Sequence, residues 1–423
     1  MKLSNRLMHN KQAIQNIVGT FIYLFSIWLM TLVTVRVSNF YDAGILSLAI
    51  TITNVFYVIS CYGMRSFQVS DIIGEYSDQQ YNNSRLITAI AGFTISLLFT
   101  IYLRYENSVF LAINLYMLYK SSEAFADVFY GIFQKNNRFD FISISLSAKG
   151  ILGFAVYFCT LYFAKSLNLA LALLFITSFA SVIIYDLPRV KATVSPVFNF
   201  EKSNIEATLL LLKSTVLLMI SLIIPQVLIS IPRIYYEKHF STELFGIFSS
   251  LSAPTIVIPT FVASALLPFL PRLAKYYYKG QKKETILTFG GFIGMTVFIG
   301  IVAEIGAYFW GTPVLEIMYG KGVLPYSEIF GSIILVTTLS AIIMCLNFFY
   351  VIARKLTPLN IVLFIGCIVC YLISPPLIDR YGMYGITHAL IISQLIQIVL
   401  LVGLMLLITL KMKPIGIGIN DKK

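Results

Sequence analysis

Apolar runs of about 20 residues recur along the chain, separated by short polar intervals. Twelve are recognisable, centred near residues 26, 54, 94, 120, 153, 177, 220, 258, 298, 339, 369 and 398. At 1.5 Å per residue, about 20 helical residues cross the roughly 30 Å hydrocarbon core of a bilayer. The runs lack the period-2 alternation of a membrane-spanning strand, so the pattern predicts helices rather than an outer-membrane barrel. The first run is too long for a signal peptide and has no small-residue cleavage site, which predicts that it stays as a helix. The expected fold class is an all-α, polytopic membrane protein of about 12 transmembrane helices.

Composition agrees. Hydrophobic residues make up 58% of the 423 positions, charged residues 12%, and mean hydropathy is +0.84; a soluble domain has no use for that balance. The net charge of +12 reads mainly as topology. With the N-terminus in the cytoplasm, Lys and Arg favour the inside positions over the outside ones by roughly three to one, which predicts both termini in the cytoplasm. The basic residues are dispersed over many short loops, so nucleic acid is not an expected partner. The five cysteines all lie in or at the ends of apolar runs. Cys367 and Cys370 form a CxxC without a second pair or a nearby His, so helix packing accounts for them better than a metal does.

The longest inside connection, Asp186 to Thr208, falls near mid-chain and divides it six plus six, into lobes 1–200 and 201–423. The two halves look weakly alike. VTVRVSNFYDAG carries Arg36 at the outer edge of the first span, and ISIPRIYYEKHFSTELFG carries Arg233 in the equivalent place on the seventh. The spans that follow end at Arg65 and Arg272. Two parallel six-helix repeats would put a substrate path between the lobes; chance similarity of apolar segments is the alternative. The eighth span contains Pro254, Pro259, Pro268 and Pro271, which predicts a bent or broken helix, either a packing kink or a feature of a transporter that rocks between states.

Chemistry is concentrated in the fourth run, Met117 to Asp140. Lys120, Glu123 and Asp127 lie within a narrow arc of one helix face. A charge near the bilayer midplane costs about 3 kcal/mol on insertion scales, so such groups face a protein interior or a wet cavity and find partners there. Lys149, on the fifth span, is at a depth similar to theirs across the tight turn Gln134 to Asp140, which makes a Lys149–Asp127 or Lys149–Glu123 ion pair the expected geometry. A packing salt bridge is the plainer account, but buried pairs stabilise weakly, whereas intramembrane ionisable groups usually mark a path. In the second half Glu304 lies well within a span and His388 near an end. Arg36 and Arg233 either snorkel to the outer headgroups or face each other and attract an anion, for which the planar guanidinium fork is suited. No GKS/T loop, HExxH or GxSxG occurs, and a membrane glycosyltransferase or polymerase would need a long outside loop, so the chain is not expected to be an enzyme.

KSSEAFADVFYGIFQKNNRFD, with YGMRSFQVSDIIGEYSDQQYNNSR before it, resembles the Wzx-type polysaccharide flippases of the multidrug/oligosaccharidyl-lipid/polysaccharide exporter superfamily. The likeness is clearest from Asn16 to Gly150 and general beyond. Lys120, Glu123, Asp127, Val128, Gly131, Gln134 and Arg138 match the family pattern in the fourth span. The resemblance implies a two-lobed, MATE-like transporter in the bacterial cytoplasmic membrane that works by alternating access. Its substrate would be an undecaprenyl-diphosphate-linked oligosaccharide, moved to the outer leaflet for capsule, O-antigen or teichoic-acid-type polymers. The implied partners are that lipid, the phospholipid bilayer and other polysaccharide-assembly proteins. No cofactor is implied beyond coupling to H+ or Na+, with Glu123, Asp127 and Glu304 as candidate sites. Arg36, Arg65, Lys120, Lys149 and Arg233 are the candidate cavity cations for the diphosphate. The rival readings are an ion-coupled MATE-type small-molecule exporter, which would favour an acidic, aromatic cavity, a membrane-embedded polymerase, and a scaffold with no need for Lys120, Glu123 and Asp127 inside the bilayer.

Overall fold

The structure, a computed structural model, describes the backbone of residues 2–71, 73–266 and 269–412, and side chains from Gln15 onward apart from Ser264 and Pro271. Among the described residues every regular element is helical. Among the described residues eleven helical segments are long and apolar enough to cross a membrane. The run centred near residue 120 is an unbroken helix of 29 residues, Asn107–Lys135, but falls outside those eleven. Its polar residues are the reason: this is the helix that carries Lys120, Glu123 and Asp127. All twelve expected centres therefore fall on helices.

The chain divides into two compact units, one comprising Met1–Gln226 with Ser241–Gly246, the other Val227–Phe240 with Ile247–Lys423. Unit 1 begins with α1 (Lys2–Val33), whose last apolar turn runs into a π-helical turn, Thr34–Ser38, that carries Arg36. Asn39 then caps α2 (Phe40–Cys61) by accepting from the Asp42 amide at 2.8 Å. Two consecutive left-handed residues, Tyr62 and Gly63, end α2 and turn the chain directly into the short α3 (Met64–Ser70). A backbone φ of +67° is free of strain at Gly63 because it lacks a Cβ. A capping box of Ser77 and Gln80 starts α4 (Asp78–Leu103).

α5 (Asn107–Lys135) is the most buried helix of the unit, with neighbours on most sides. It turns through Asn136–Arg138 into α6 (Phe139–Ala164), and Ser166 caps α7 (Leu167–Ser181). α7 continues through a second π turn, Val182–Asp186, into α8 (Leu187–Lys191). α1 and α6 meet through small residues: a side chain on Gly19 would strike the Ser143 backbone, the close approach by which membrane helices gain van der Waals contact. The expected inside connection is packed against the unit. Val197 is buried, and its carbonyl accepts from Asn82 on α4 at 2.9 Å. α9 (Lys202–His239) follows and runs from unit 1 into unit 2.

The eighth span is broken, as its prolines predict. α10 (Thr242–Ser252) gives way to a 3₁₀ turn at Ala253–Ile256 opened by Pro254; α11 (Val257–Leu266) and α12 (Leu270–Tyr278) follow. Pro259 lies in the first turn of α11, where its missing N–H costs no intrahelical bond. Pro268 and the side chain of Pro271 lie outside the described residues. α13 (Lys282–Gly306) passes through a third π turn, Ala307–Gly311, into α14 (Thr312–Tyr319). α15 (Ile329–Ile352), α16 (Leu356–Tyr381) and α17 (Met383–Leu410) complete unit 2. Its core is pinned by polar bonds that apolar surroundings strengthen: the Tyr350 hydroxyl donates to the Leu401 carbonyl at 2.6 Å, and Gln397 to the Leu363 carbonyl at 2.9 Å.

Candidate functional site

One face of α5 organises the polar interior of unit 1. Lys120, Glu123, Asp127, Tyr130 and Gln134 follow one another at spacings of three or four residues, which keeps them on one stripe and spreads them over about 21 Å of helix. Three charge clusters hang from this stripe.

In the first, Lys120 Nζ donates to Glu123 Oε2 at 2.8 Å, one turn further along the same helix. Both side chains are buried. The Lys120 ammonium also sits 4.6 Å from the centre of the Tyr57 ring on α2 and 5.5 Å from that of Tyr119, so its desolvation is offset by a carboxylate and two aromatic faces. Tyr23 of α1 donates its hydroxyl to Glu123 Oε1. This cluster carries no net charge.

The second is centred on Asp127. Its Oδ2 accepts from Arg85 Nη2 at 2.9 Å, and its Oδ1 lies 3.5 Å from Arg65 Nη1. Arg85, on α4, is fully buried and also donates to the Ser60 carbonyl at the end of α2, which Thr88 shares at 2.8 Å. Arg65, on α3, keeps 29% of its side chain exposed and donates to Gln134 Oε1 at 3.1 Å. Two guanidinium groups thus meet one carboxylate, leaving an excess positive charge. Because Arg85 holds the shorter contact, the excess falls on Arg65, the more exposed of the two.

The third joins three helices. Lys149 of α6 donates to Asp186 Oδ2 at 2.8 Å and to the Tyr130 hydroxyl at 3.0 Å. The Tyr130 hydroxyl also lies 2.6 Å from Ser145 Oγ. Side-chain exposure is 2% for Lys149 and 0% for Asp186, so this pair is sealed.

The expected Lys149–Asp127 or Lys149–Glu123 pair is therefore corrected. Lys149 does reach α5, but one turn further along, at Tyr130, and its carboxylate comes from the π turn that follows α7. Glu123 is taken by Lys120 and Asp127 by two arginines. Asp186 and Arg85 were missed because each stands at the edge of a polar stretch and reads as a loop residue. The available signal was the adjoining sequence: Asp186 directly follows the apolar run ending VIIY, and Arg85 directly precedes LITAIAGF. Arg36 is exposed on its π turn. Arg233, half-buried on α9, holds its guanidinium 5.7 Å from the centre of the Phe248 ring, with no hydrogen-bond partner at Nε. Glu304 is exposed on α13 and lies against Gly331 of α15. Among the described residues no group of His, Cys, Asp and Glu is placed to hold a metal ion.

Two cavities adjoin these elements. The larger, about 530 Å³, is an apolar groove between α1 and α6 lined by residues such as Phe21, Phe25, Ile151 and Phe158. The smaller, about 370 Å³, is polar and lies between α3 and α5, lined by Arg65, Ser66, Val69, Ser70 and Gln134.

Long apolar helices arranged around a buried, internally paired charge stripe describe a multi-pass membrane protein. No family model matches the chain. The chain is 28% identical over 385 residues to the capsular polysaccharide biosynthesis protein CapF of Staphylococcus aureus, covering 88% of this chain and 93% of that one. Its fold is that of the lipid II flippase MurJ, with a TM-score of 0.71 at 15% identity, covering 94% of this chain and 91% of MurJ. It is also that of an inward-facing multidrug resistance MATE family transporter of the MOP superfamily, with a TM-score of 0.69 at 8% identity, covering 95% and 100%. The all-α, MATE-like architecture is borne out, and so is the resemblance to the exporter superfamily.

Proposed function

We propose that the protein is a flippase that moves undecaprenyl-diphosphate-linked oligosaccharide units across the bacterial cytoplasmic membrane by alternating access, for capsule, O-antigen or teichoic-acid-type polymers. CapF is named for capsular polysaccharide biosynthesis and MurJ for flipping lipid II; both names support a lipid-linked glycan here. The observation that carries the reading is the Arg65–Asp127–Arg85 cluster with its excess positive charge. A diphosphate headgroup is anionic and needs fixed cationic donors to leave water, and guanidinium groups bind phosphate through paired hydrogen bonds. A cation exporter would gain nothing from that cluster. The lipid tail stays in the bilayer and needs no polar path.

In this reading Lys120 and Glu123 form a neutral aromatic-walled pair that shapes the interior, and the sealed Lys149–Asp186 pair holds three helices in register. Arg36 and Arg233 are the cations nearer the outer leaflet. Coupling to H+ or Na+ involves Asp127, Glu123 or Glu304, and Asp127 is the carboxylate whose neutralisation changes the charge of the arginine cluster. Both termini are cytoplasmic by the distribution of Lys and Arg. The test is reconstitution of the purified protein in liposomes with a fluorescent polyprenyl-diphosphate oligosaccharide, read by accessibility of the label to an external quencher or enzyme. Translocation of the diphosphate lipid supports the reading. Efflux of a cationic dye without lipid movement overturns it in favour of a MATE-type exporter.

A further inference from the structure

We propose that the apolar groove between α1 and α6 binds an anionic phospholipid of the bilayer, which lays an acyl chain in the groove and sets its phosphate against the cations at the groove's outer end. The proposal rests on the placement of these helices in a membrane and is independent of the flippase reading. α1 and α6 run side by side and touch where residues are small. A Cβ on Gly19 would strike the Ser143 backbone, and one on Gly150 would come within 3.0 Å of the Tyr23 Cα. Further along, aromatic rings line the two walls without interlocking. Phe21 stacks on Phe25 along α1 with ring centres 5.9 Å apart, and Phe154 on Phe158 along α6 at 6.2 Å. The groove left between them, about 530 Å³, falls within the roughly 300–1,000 Å³ of small-molecule sites. Its one hydroxyl, Ser26, donates back to the Ile22 carbonyl at 2.8 Å, so the walls ask for no polar partner. Both walls belong to segments long and apolar enough to cross a membrane, Gln15–Ser38 and Phe139–Ala164. Phe21 and Ile151, 66% and 56% exposed, are therefore covered by hydrocarbon rather than water.

Both walls end in a cation, which separates this groove from an ordinary lipid-facing surface. Lys165 follows Phe158 by seven residues on one wall, and Arg36 follows Leu29 by seven on the other. Two helical turns return each side chain to nearly the same face about 10 Å further on. Both cations are exposed. Lys165 reaches across the end of the groove: its Nζ donates to the Val37 carbonyl at 3.4 Å, in the π turn that carries Arg36, and lies 5.2 Å from the centre of the Tyr162 ring. An ammonium has three donors, so one backbone acceptor leaves others for a phosphate. Asp42, the carboxylate in the first turn of α2, accepts from the Ser38 hydroxyl. A headgroup layer adds about 5–8 Å to each side of the hydrocarbon core, so an offset of about 10 Å puts the cations at phosphate depth when the groove holds the chain. Each Lys or Arg near the membrane surface favours an anionic lipid by about fivefold. The leaflet is the outer one on the topology proposed above.

The groove carries its own reporter. The chain has 2 tryptophans, and Trp28 stands beside Phe25 with ring centres 5.3 Å apart. The full-length protein with Trp310→Phe keeps Trp28 alone and is reconstituted in phosphatidylcholine vesicles. These contain rising fractions of phosphatidylglycerol or phosphatidylcholine brominated on the acyl chains, which quench a tryptophan they touch. The two quenching curves give the affinity of the site for the anionic lipid relative to the neutral one. In this background the ratio should be about fivefold or more at low salt and should shrink at about 1 M salt. Lys165→Gln should lower it by about fivefold, and Lys165→Gln/Arg36→Gln should bring it close to one. Ala155→Phe, at an exposed position in the groove, should lessen quenching by both lipids because the ring takes the place of the chain. A ratio within twofold of one in the parent protein, or a preference unchanged in the double variant, overturns the proposal. So does recovery of Trp28 fluorescence on adding an equimolar unbrominated polyprenyl-diphosphate lipid, which would give the groove to the transported lipid instead. A preference for phosphatidylglycerol in a protein that moves no lipid-linked glycan retains the site and removes only the flippase reading.

Discussion

Replacing Asp186 by Asn removes the counter-charge of the Lys149 ammonium and leaves it in the interior with only neutral acceptors, the new amide oxygen and the Tyr130 hydroxyl. Side-chain exposures of 2% and 0% exclude rescue by solvent. Breaking a buried pair from one side costs about 3–5 kcal/mol. An independent bound agrees: a stranded lysine can escape by losing its proton, which at pH 7 costs about 5 kcal/mol from its ordinary pKa, and a stranded aspartate by gaining one at about 4 kcal/mol. For a unit of this size each kcal/mol moves Tm by about 2–4 °C, so Asp186→Asn and Lys149→Met should each lower Tm by roughly 6–20 °C. The Lys149→Met/Asp186→Asn double variant should recover most of the loss, because the desolvation of both charges disappears with them. Thermal unfolding in detergent, followed by tryptophan fluorescence or by exposure of the buried thiols, measures all four members of the cycle. Single variants within 2 °C of the wild type, or a double variant whose loss equals the sum of the singles, would refute the sealed-pair argument.

Arg85→Met should be more destabilising than Arg65→Met, since Arg85 is fully buried and bonds both Asp127 and the Ser60 carbonyl; a difference of about 2 kcal/mol or more in a denaturation series is expected. Gly92→Ala should cost about 1–3 kcal/mol, because the added methyl would meet the Ser60 hydroxyl and the Phe56 carbonyl where α4 crosses α2; Gly290→Ala, inside α13 where nothing lies within 4 Å, is the matched control and should stabilise by up to about 1 kcal/mol. The turn at Glu75 and Tyr76 should loosen in acid. Burial works to raise the Asp71 carboxyl, but the Glu75 and Tyr76 amides and the Tyr81 hydroxyl outweigh it and hold the carboxyl below its ordinary value. A depressed folded pKa contributes stability that is present above the ordinary value near 3.9 and is lost as pH falls through the lower folded one. Hydrogen exchange of the Glu75 and Tyr76 amides, corrected for intrinsic rate, should therefore lose protection only below about pH 4, and Asp71→Asn should show reduced protection at neutral pH.

Much of this architecture was legible before any coordinates. The twelve helix centres follow from local hydropathy alone, because a bilayer forces every backbone group to be satisfied within its own segment. The same locality made the charge stripe on α5 readable, since residues three and four apart on a helix must share a face whatever surrounds them, and the Lys120–Glu123 pair sits on one helix. The proline-broken eighth span is local too. What the sequence could not supply was the partner of any charge on another helix. Lys149 has partners on α5 and on the π turn after α7, and spacing along the chain does not say which carboxylate comes to the same depth. The π turn before Leu187 adds a residue that no propensity announces, and it carries Asp186 inward. Arg85 precedes an apolar run and reads as a loop end until α2 and α4 are seen to cross at Ser60. The pocket between α3 and α5 likewise depends on a left-handed turn that folds seven residues back onto a helix distant in sequence. Local order was written residue by residue; the pairing of charges was decided only when the helices packed, because that choice is made by geometry between segments that do not meet along the chain.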